Sequence, residues 1–321
     1  KSYNERNTVR NIAHAQEYIR HYLDGSPIPG IKWEYEMIQQ ILPAINVDML
    51  NQIAQQLVTD HNLIISFQAP EDENVVLPTE VEAIEMLAAV KNEAIEAPVE
   101  EEIRTTLVED APKAGKIRKT AYNEILGTTE WTLSNGVRVI VKPTEFKQDE
   151  ILFYATSMGG NSLVATEDLP SAALATDVVE LAGLADMNAT DLQKALTGKR
   201  VSLSPSINAN SESLSGSSTV KDLETLLQLN YLYFTAPRRD EESYQTLMSI
   251  LESQLANRDK NPKVAFNDSI QMMTSNNSER TVIFTTELLG KVSLDKALEV
   301  YKARFANPAD FTFFFVGNVS P

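Results

Sequence analysis

The sequence predicts an α+β fold, a largely antiparallel sheet packed with helices, and it predicts that fold twice. Strand-like runs with turn chemistry alternate with amphipathic helical runs from about residue 129 onward. The chain has 321 residues, enough for about two domains. Two distant stretches also echo one another. INVDMLNQIAQQLV followed by LIISFQAP matches VSLDKALEVYKARF followed by FTFFFVGN. Each has a capping residue, an aspartate two places later, an amphipathic helix, a short spacer and an apolar strand. Their separation far exceeds a solenoid period. The economical reading is two copies of one domain, with only the end of the first copy present.

Residues 5–23 read as a helix, because Val9, Ile12, Ala13, Ile19, Tyr22 and Leu23 recur at helical spacing. DGSPIPG stops it. A second helix is expected over 33–42. A third follows Asn46, a good N-cap, with Asp48 in its first turn, and runs to about Val58. LIISF (63–67) reads as a short buried strand. Residues 70–128 are acid-rich, hold several prolines and contain one expected helix, 79–94. The segment reads as a connector. WTLSNGVRVIVKP carries two strand runs around Asn135-Gly136, a strong hairpin signal. A strand over 150–158, a helix over 168–183 and a short helix over 188–196 follow. VSLSPSINANSESLSGSS reads as two strands with a turn. VKDLETLLQLNYLYFT and ESYQTLMSILESQLANR read as amphipathic helices. A helix over 293–305 and the strand FTFFFVGN close the chain.

Composition excludes several classes of function. Lys plus Arg is 28 against 45 Asp plus Glu, a net charge of −17, and no basic run is present. Nucleic acid and anionic membrane are therefore poor partners. No stretch is long and apolar enough to span a bilayer. With no cysteine, disulfides, thiolate zinc sites and cysteine nucleophiles are out. The chain opens KSYNERNT, with neither an initiator Met nor a signal-peptide pattern, and reads as a piece of something longer.

HAQEYIRH (14–21) comes near a zinc-peptidase signature. In the inverted motif H-x-x-E-H, two histidines and a general-base glutamate share one helix face. Here His14 and Glu17 are correctly spaced, but Tyr18 stands where the second histidine belongs. His21 lies about 10 Å further along the axis than His14. One zinc needs converging ligands roughly a turn apart, so ordinary helix histidines are the better reading. His61 is the third histidine, and 62–321 contain none. That stretch holds neither a Ser-His-Asp triad nor a histidine-ligated zinc of its own. The serines between Ser202 and Ser218 therefore read as polar strand and turn positions. The sequons at Asn188 and Asn267 are too short to imply much. No dinucleotide-binding or P-loop pattern occurs, and no carboxylate pair stands out.

The run LDGSPIPGIKWEYEMIQQILPAINVDMLNQIAQQL resembles the end of the second domain in pitrilysin/insulinase-type zinc peptidases, the inverzincins. The similarity is to the bacterial branch built as one long chain. TEWTLSNGVRVIVKPTEFKQDEILFYATSMGGNSLV resembles the start of the third domain. ATDLQKALTGKRVSLSPSINANSESLSGSSTVKDLETLLQLNYLYFTAPR continues it, and DFTFFFVGNV resembles its closing strand. The resemblance covers nearly the whole chain.

What it implies is specific. Four similar metallopeptidase-like domains form two halves that close around a peptide. Only the first carries H-x-x-E-H and a downstream glutamate ligand, and the third is a degenerate copy. On this resemblance, 1–69 end the second domain, 70–128 join the halves and 129–321 form the degenerate third domain. Leu174, Asp177 and Val178 align where an active copy has its motif, and Glu252 falls near the third ligand. Leu174 and Val178 cannot ligate zinc. No catalytic or metal-ligating residue is therefore assigned, no substrate-binding residue is named, and the chain is expected to be inactive alone. Zinc would belong to the longer parent, upstream of Lys1. Peptide or unfolded protein would be the substrate and the upstream catalytic half the partner. The branch points to a bacterial periplasm or envelope. Two alternatives stay open: a structural subunit of an inactive relative, and a peptide-binding module.

Overall fold

A computed structural model describes residues 2–57, 63–69, 75–94, 106–256 and 258–321. The chain divides into two compact units, one of residues 1–11 with 103–321 and the other of residues 12–102.

The second unit is helical. It contains most of α1 (Asn11–Asp24), then α2 (Ile31–Ile41), α3 (Val47–Leu57) and α4 (Glu80–Asn92). Local chemistry sets these boundaries. The Asn46 side chain accepts the Met49 N–H at 2.9 Å at the start of α3. Thr79 and Glu82 form a reciprocal capping box at the start of α4. Packing is another matter, because α1, α2 and α3 bury no residue. The strand expected at 63–67 is not formed. Residues 63–69 are irregular, with Ile64 89% and Phe67 47% exposed. A strand needs a ladder partner, and the described residues offer this segment none. The connector's 70–74 and 95–105, Val58 and His61 lie outside the described residues.

The first unit is built on a seven-stranded sheet. Its strands are β1 (Ile117–Asn123), β2 (Thr128–Leu133), β3 (Arg138–Pro143), β4 (Ile151–Met158), β5 (Val201–Ile207), β6 (Ser211–Ser218) and β7 (Thr312–Gly317). Their spatial order is β1-β2-β3-β7-β4-β6-β5. All pairs are antiparallel except β3 with β7. The last strand thus fills a central slot between β3 and β4. The β2–β3 hairpin turns at Asn135-Gly136 as expected, with Gly136 at φ 90°. The segment forming β1 lies within the stretch read as a connector, and it pairs with β2.

One sheet face is dry. On β4, Ile151, Phe153, Ala155 and Ser157 are buried while Leu152, Tyr154 and Met158 are exposed, a strict period of two. The dry face carries Phe313, Leu214 and Leu203 alongside them. Helices α5 (Leu169–Ala173), α6 (Ala175–Ala182), α8 (Leu223–Thr235), α9 (Glu241–Ala256) and α12 (Leu294–Arg304) supply the opposing side of the core, and the short α7 (Ala189–Ala195) adds Ala195. The helix expected over 168–183 is two helices, broken at Leu174 with φ −108° and ψ 4°. Helices α10 (Pro262–Thr274) and α11 (Thr286–Leu289) were not expected from the periodicity. Helix α10 buries no residue, and Val264 and Met272 are its half-buried apolar positions.

Residues 2–8 are pinned to this unit rather than helical. Glu5 is only 5% exposed. Its carboxylate accepts the N–H of Asp149 at 2.7 Å, the N–H of Gln148 at 3.1 Å and the Thr8 hydroxyl. Burial pushes this carboxyl up. The hydrogen bonds from Thr8, Asp149 and Gln148, with the charge of Lys147, outweigh burial and hold the pKa below the usual glutamate value. A depressed folded-state pKa gives stability that is present above the unfolded pKa and lost as pH falls through the folded one. Glu5→Gln is therefore expected to cost this unit about 1–3 kcal/mol at neutral pH. The cost should shrink at pH 3, as denaturant unfolding at the two pH values would measure. An equal cost at both would contradict an ionised Glu5.

Candidate functional site

Leu174, Asp177 and Val178, expected where an active copy would carry its zinc motif, lie at the start of α6, just after the α5–α6 break. Leu174 is 7% exposed and Val178 is 2% exposed, and both belong to the hydrophobic core. Asp177 sits on the opposite, solvent-reaching side of α6 with Glu180, three residues on. Residues at i and i+3 on a helix are neighbours, and β5 runs close to this face. Burial raises the Asp177 carboxyl above the ordinary aspartate range. Burial also raises Glu180. The Ser204 hydroxyl of β5 hydrogen-bonds it and partly offsets that, while the Asp177 charge adds to it. Beneath them the Tyr233 phenol is pushed far up by burial and by Glu180. The Tyr301 hydroxyl donates to the Tyr233 carbonyl at 3.1 Å. These phenols are core struts.

The residues present do not fit zinc. Two of the three aligned positions are apolar and face the core, and Glu252 lies exposed on α9. Among the described residues, no group of three or more His, Asp or Glu side chains is placed to hold a metal. HAQEYIRH does not converge either. His14 Nδ1 lies 3.9 Å from Glu17, whereas His21 Nδ1 bonds the Ser26 carbonyl oxygen at 2.7 Å. Of the sequons, Asn188 caps α7, accepting the Asp191 N–H at 2.9 Å, and Asn267 lies within α10. Ser202, Ser204 and Ser206 of β5 stand opposite Ser217, Ser215 and Ser213 of β6, and the Ser202 and Ser217 hydroxyls meet at 3.4 Å, while Ser218 is buried. They are strand positions, as expected from the missing base.

Strand β5 is an edge, and its outward groups can be counted. Asn208 donates to Ser211 and Thr219 donates to Arg200, so the even-numbered residues of β5 face β6 with their backbone groups. Val201, Leu203, Pro205 and Ile207 then point theirs outward. Pro205 removes one N–H from that row. A proline at an outward position is a common guard against strand addition. Neither the sheet order nor this parity is readable without the pairing register.

The curated "Zinc protease PQQL-like" of Arabidopsis thaliana is 27% identical over 322 residues, covering 100% of this chain and 31% of its own length. Similarity to curated zinc proteases supports the resemblance to pitrilysin/insulinase-type peptidases. Among solved structures, the periplasmic protease PqqL from Escherichia coli matches at TM-score 0.60 and 20% identity, over 99% of this chain and 35% of that one. A ferredoxin protease FusC variant, in complex with Arabidopsis ferredoxin, matches at TM-score 0.55 and 21% identity, over 97% and 34%. At these identities the two structures speak for the α+β fold alone. No protein-family model matches the chain. The chain spans about a third of the length of the relatives it matches. Among the described residues no helix is long and apolar enough to cross a membrane.

Proposed function

We propose that this chain is a non-catalytic segment of a longer zinc-dependent metalloendopeptidase and helps to form the chamber that encloses its peptide. Residues 1–69 end a second peptidase-like domain, 70–128 join two halves and 129–321 form a degenerate third domain, to which β1 adds one strand. The observation that carries this reading is the packing of Leu174 and Val178 into the core at the motif position. Proteolysis then falls to an H-x-x-E-H site upstream of Lys1, where zinc activates water. Substrates are peptides or unfolded proteins; the complex of one neighbour with ferredoxin supports a protein substrate. A bacterial periplasmic or envelope location is supported by another.

The test follows a quenched fluorescent peptide. The full-length protein should cleave it, a zinc chelator should stop it, and this chain alone should be inert. Adding the upstream segment to this chain should restore cleavage. Cleavage by this chain alone would overturn the reading. Failure of the full-length protein to cleave any peptide would favour a structural subunit.

A further inference from the structure

Residues 2–8 belong to the sheet-bearing unit, yet no apolar side chain among them is buried. The one buried side chain there is the Glu5 carboxylate. It occupies an anion site built of backbone. The consecutive N–H groups of Gln148 and Asp149, in the β3–β4 loop, both donate to it. Adjacent amides aimed at one anion form a binding concavity. Asn4 adds a bond of 3.2 Å from its side-chain amide to the Asp149 carboxylate. The loop is anchored to the sheet in turn. Asp149 accepts the Val220 N–H at 3.3 Å just after β6, and the Asn318 amide donates to the Gln148 carbonyl at 2.6 Å just after β7. The docked segment also holds its own shape. The Arg6 N–H and guanidinium both donate to the Tyr3 carbonyl, and the guanidinium lies 4.4 Å from the centre of the Tyr3 ring. The Thr8 N–H donates to the Glu5 carbonyl at 2.9 Å. A cleft of about 590 Å³ runs beside the contact, with Asn4, Arg6 and Asn7 on one wall and Gln148, Asp149 and Asn318 on the other. Parting these walls exposes polar groups that water solvates, and little apolar surface. A contact of this polar kind opens far more readily than an apolar core.

We infer that residues 2–8 are a releasable strap, tied to the β3–β4 loop through the Glu5 carboxylate and able to leave it while the sheet stays folded. The strap directly precedes α1, so its release frees the chain that enters the helical unit. The receptor is specific for a carboxylate of this reach: two backbone donors at 148 and 149 need one acceptor group, and Glu5 supplies it at 3.1 Å and 2.7 Å. Its role in the chamber rests on the proposed function, where release of the strap is the step that lets the domains part for a peptide. The strap itself needs neither zinc nor cleavage.

Amide hydrogen exchange on the full-length protein tests it. The Gln148 and Asp149 amides should exchange together, about tenfold or more faster than the amides of β4 and β7. Glu5→Ala should speed those two amides by a further tenfold or so. Glu5→Gln, which keeps the shape and one acceptor oxygen, should fall between. In both variants the β4 and β7 amides should stay the slower set, which reports that the sheet is folded. Exchange of Gln148 and Asp149 at the β4 rate in the unaltered protein overturns the inference, because the strap then leaves only on global unfolding. Exchange unmoved by Glu5→Ala overturns it too, because another group then holds those amides. Cleavage of a long peptide reads the role in the chamber: Glu5→Ala should change kcat or KM by about threefold or more. Freed amides with both constants unchanged would refute that role. A protein that shows the exchange pattern and cleaves nothing would support the strap and refute the proposed function.

Discussion

Installing the missing motif, by Leu174→His, Asp177→Glu and Val178→His together, is expected to cost the sheet-bearing unit about 3–5 kcal/mol without creating a zinc site. The replaced Leu174 and Val178 are 7% and 2% exposed among core side chains. Imidazoles there would bury ring nitrogens with no partner, and they would leave the shape of the core unfilled. Leu174 caps α6 and its carbonyl accepts the Val178 N–H at 3.0 Å, so the two positions are one turn apart, but both are turned into the core. A motif in the right order is therefore not a site. The measurement is denaturant unfolding, followed by near-ultraviolet circular dichroism, with and without excess zinc. Stabilisation by zinc above about 1 kcal/mol would show that the fold retains a latent centre, and would refute this account.

Phe305→Ala is the second large effect, about 3–5 kcal/mol. Phe305 is 1% exposed. Its ring stacks on Tyr301 at 4.6 Å and on Phe311 at 5.6 Å, and Phe234 meets it edge-on at 5.8 Å. Such pairs add about 0.5–1.5 kcal/mol beyond burial. The residue ends α12, and Phe311 leads into β7, so the cluster ties the last helix to the central strand. Truncation leaves a cavity lined by rings on three sides, which cannot collapse onto it. Phe305→Leu should recover more than half of the loss in the same unfolding experiment. A cost for alanine below about 1.5 kcal/mol would mean that the aromatic cluster repacks freely.

Much of the sheet-bearing unit was legible in advance because its signals are local. The Asn135-Gly136 turn needs a positive φ that glycine supplies, and the period of two along β4 survives whatever lies beside it. The empty histidine record after residue 61 excluded two chemistries without any coordinates. Other features were not legible. Nothing near Ile117–Asn123 announces that β2 will accept it, because the choice of partner is a long-range event. Residues 5–10 carry a helical pattern, yet a Glu5 carboxylate held by backbone groups over 140 positions away takes the start of that stretch for another purpose.

By itself the sequence determined most elements of the sheet-bearing unit, the matching caps of α3 and α12, and the apolar side chains at 174 and 178. Tertiary structure alone decided where each element goes. It placed β7 in the slot between β3 and β4, broke the helix at Leu174, and turned the missing N–H of Pro205 outward. The same difference leaves LIISF irregular while FTFFFV is a central strand. Both stretches have the composition of a strand, but a strand is stabilised by its neighbours, and only one of the two has them among the described residues.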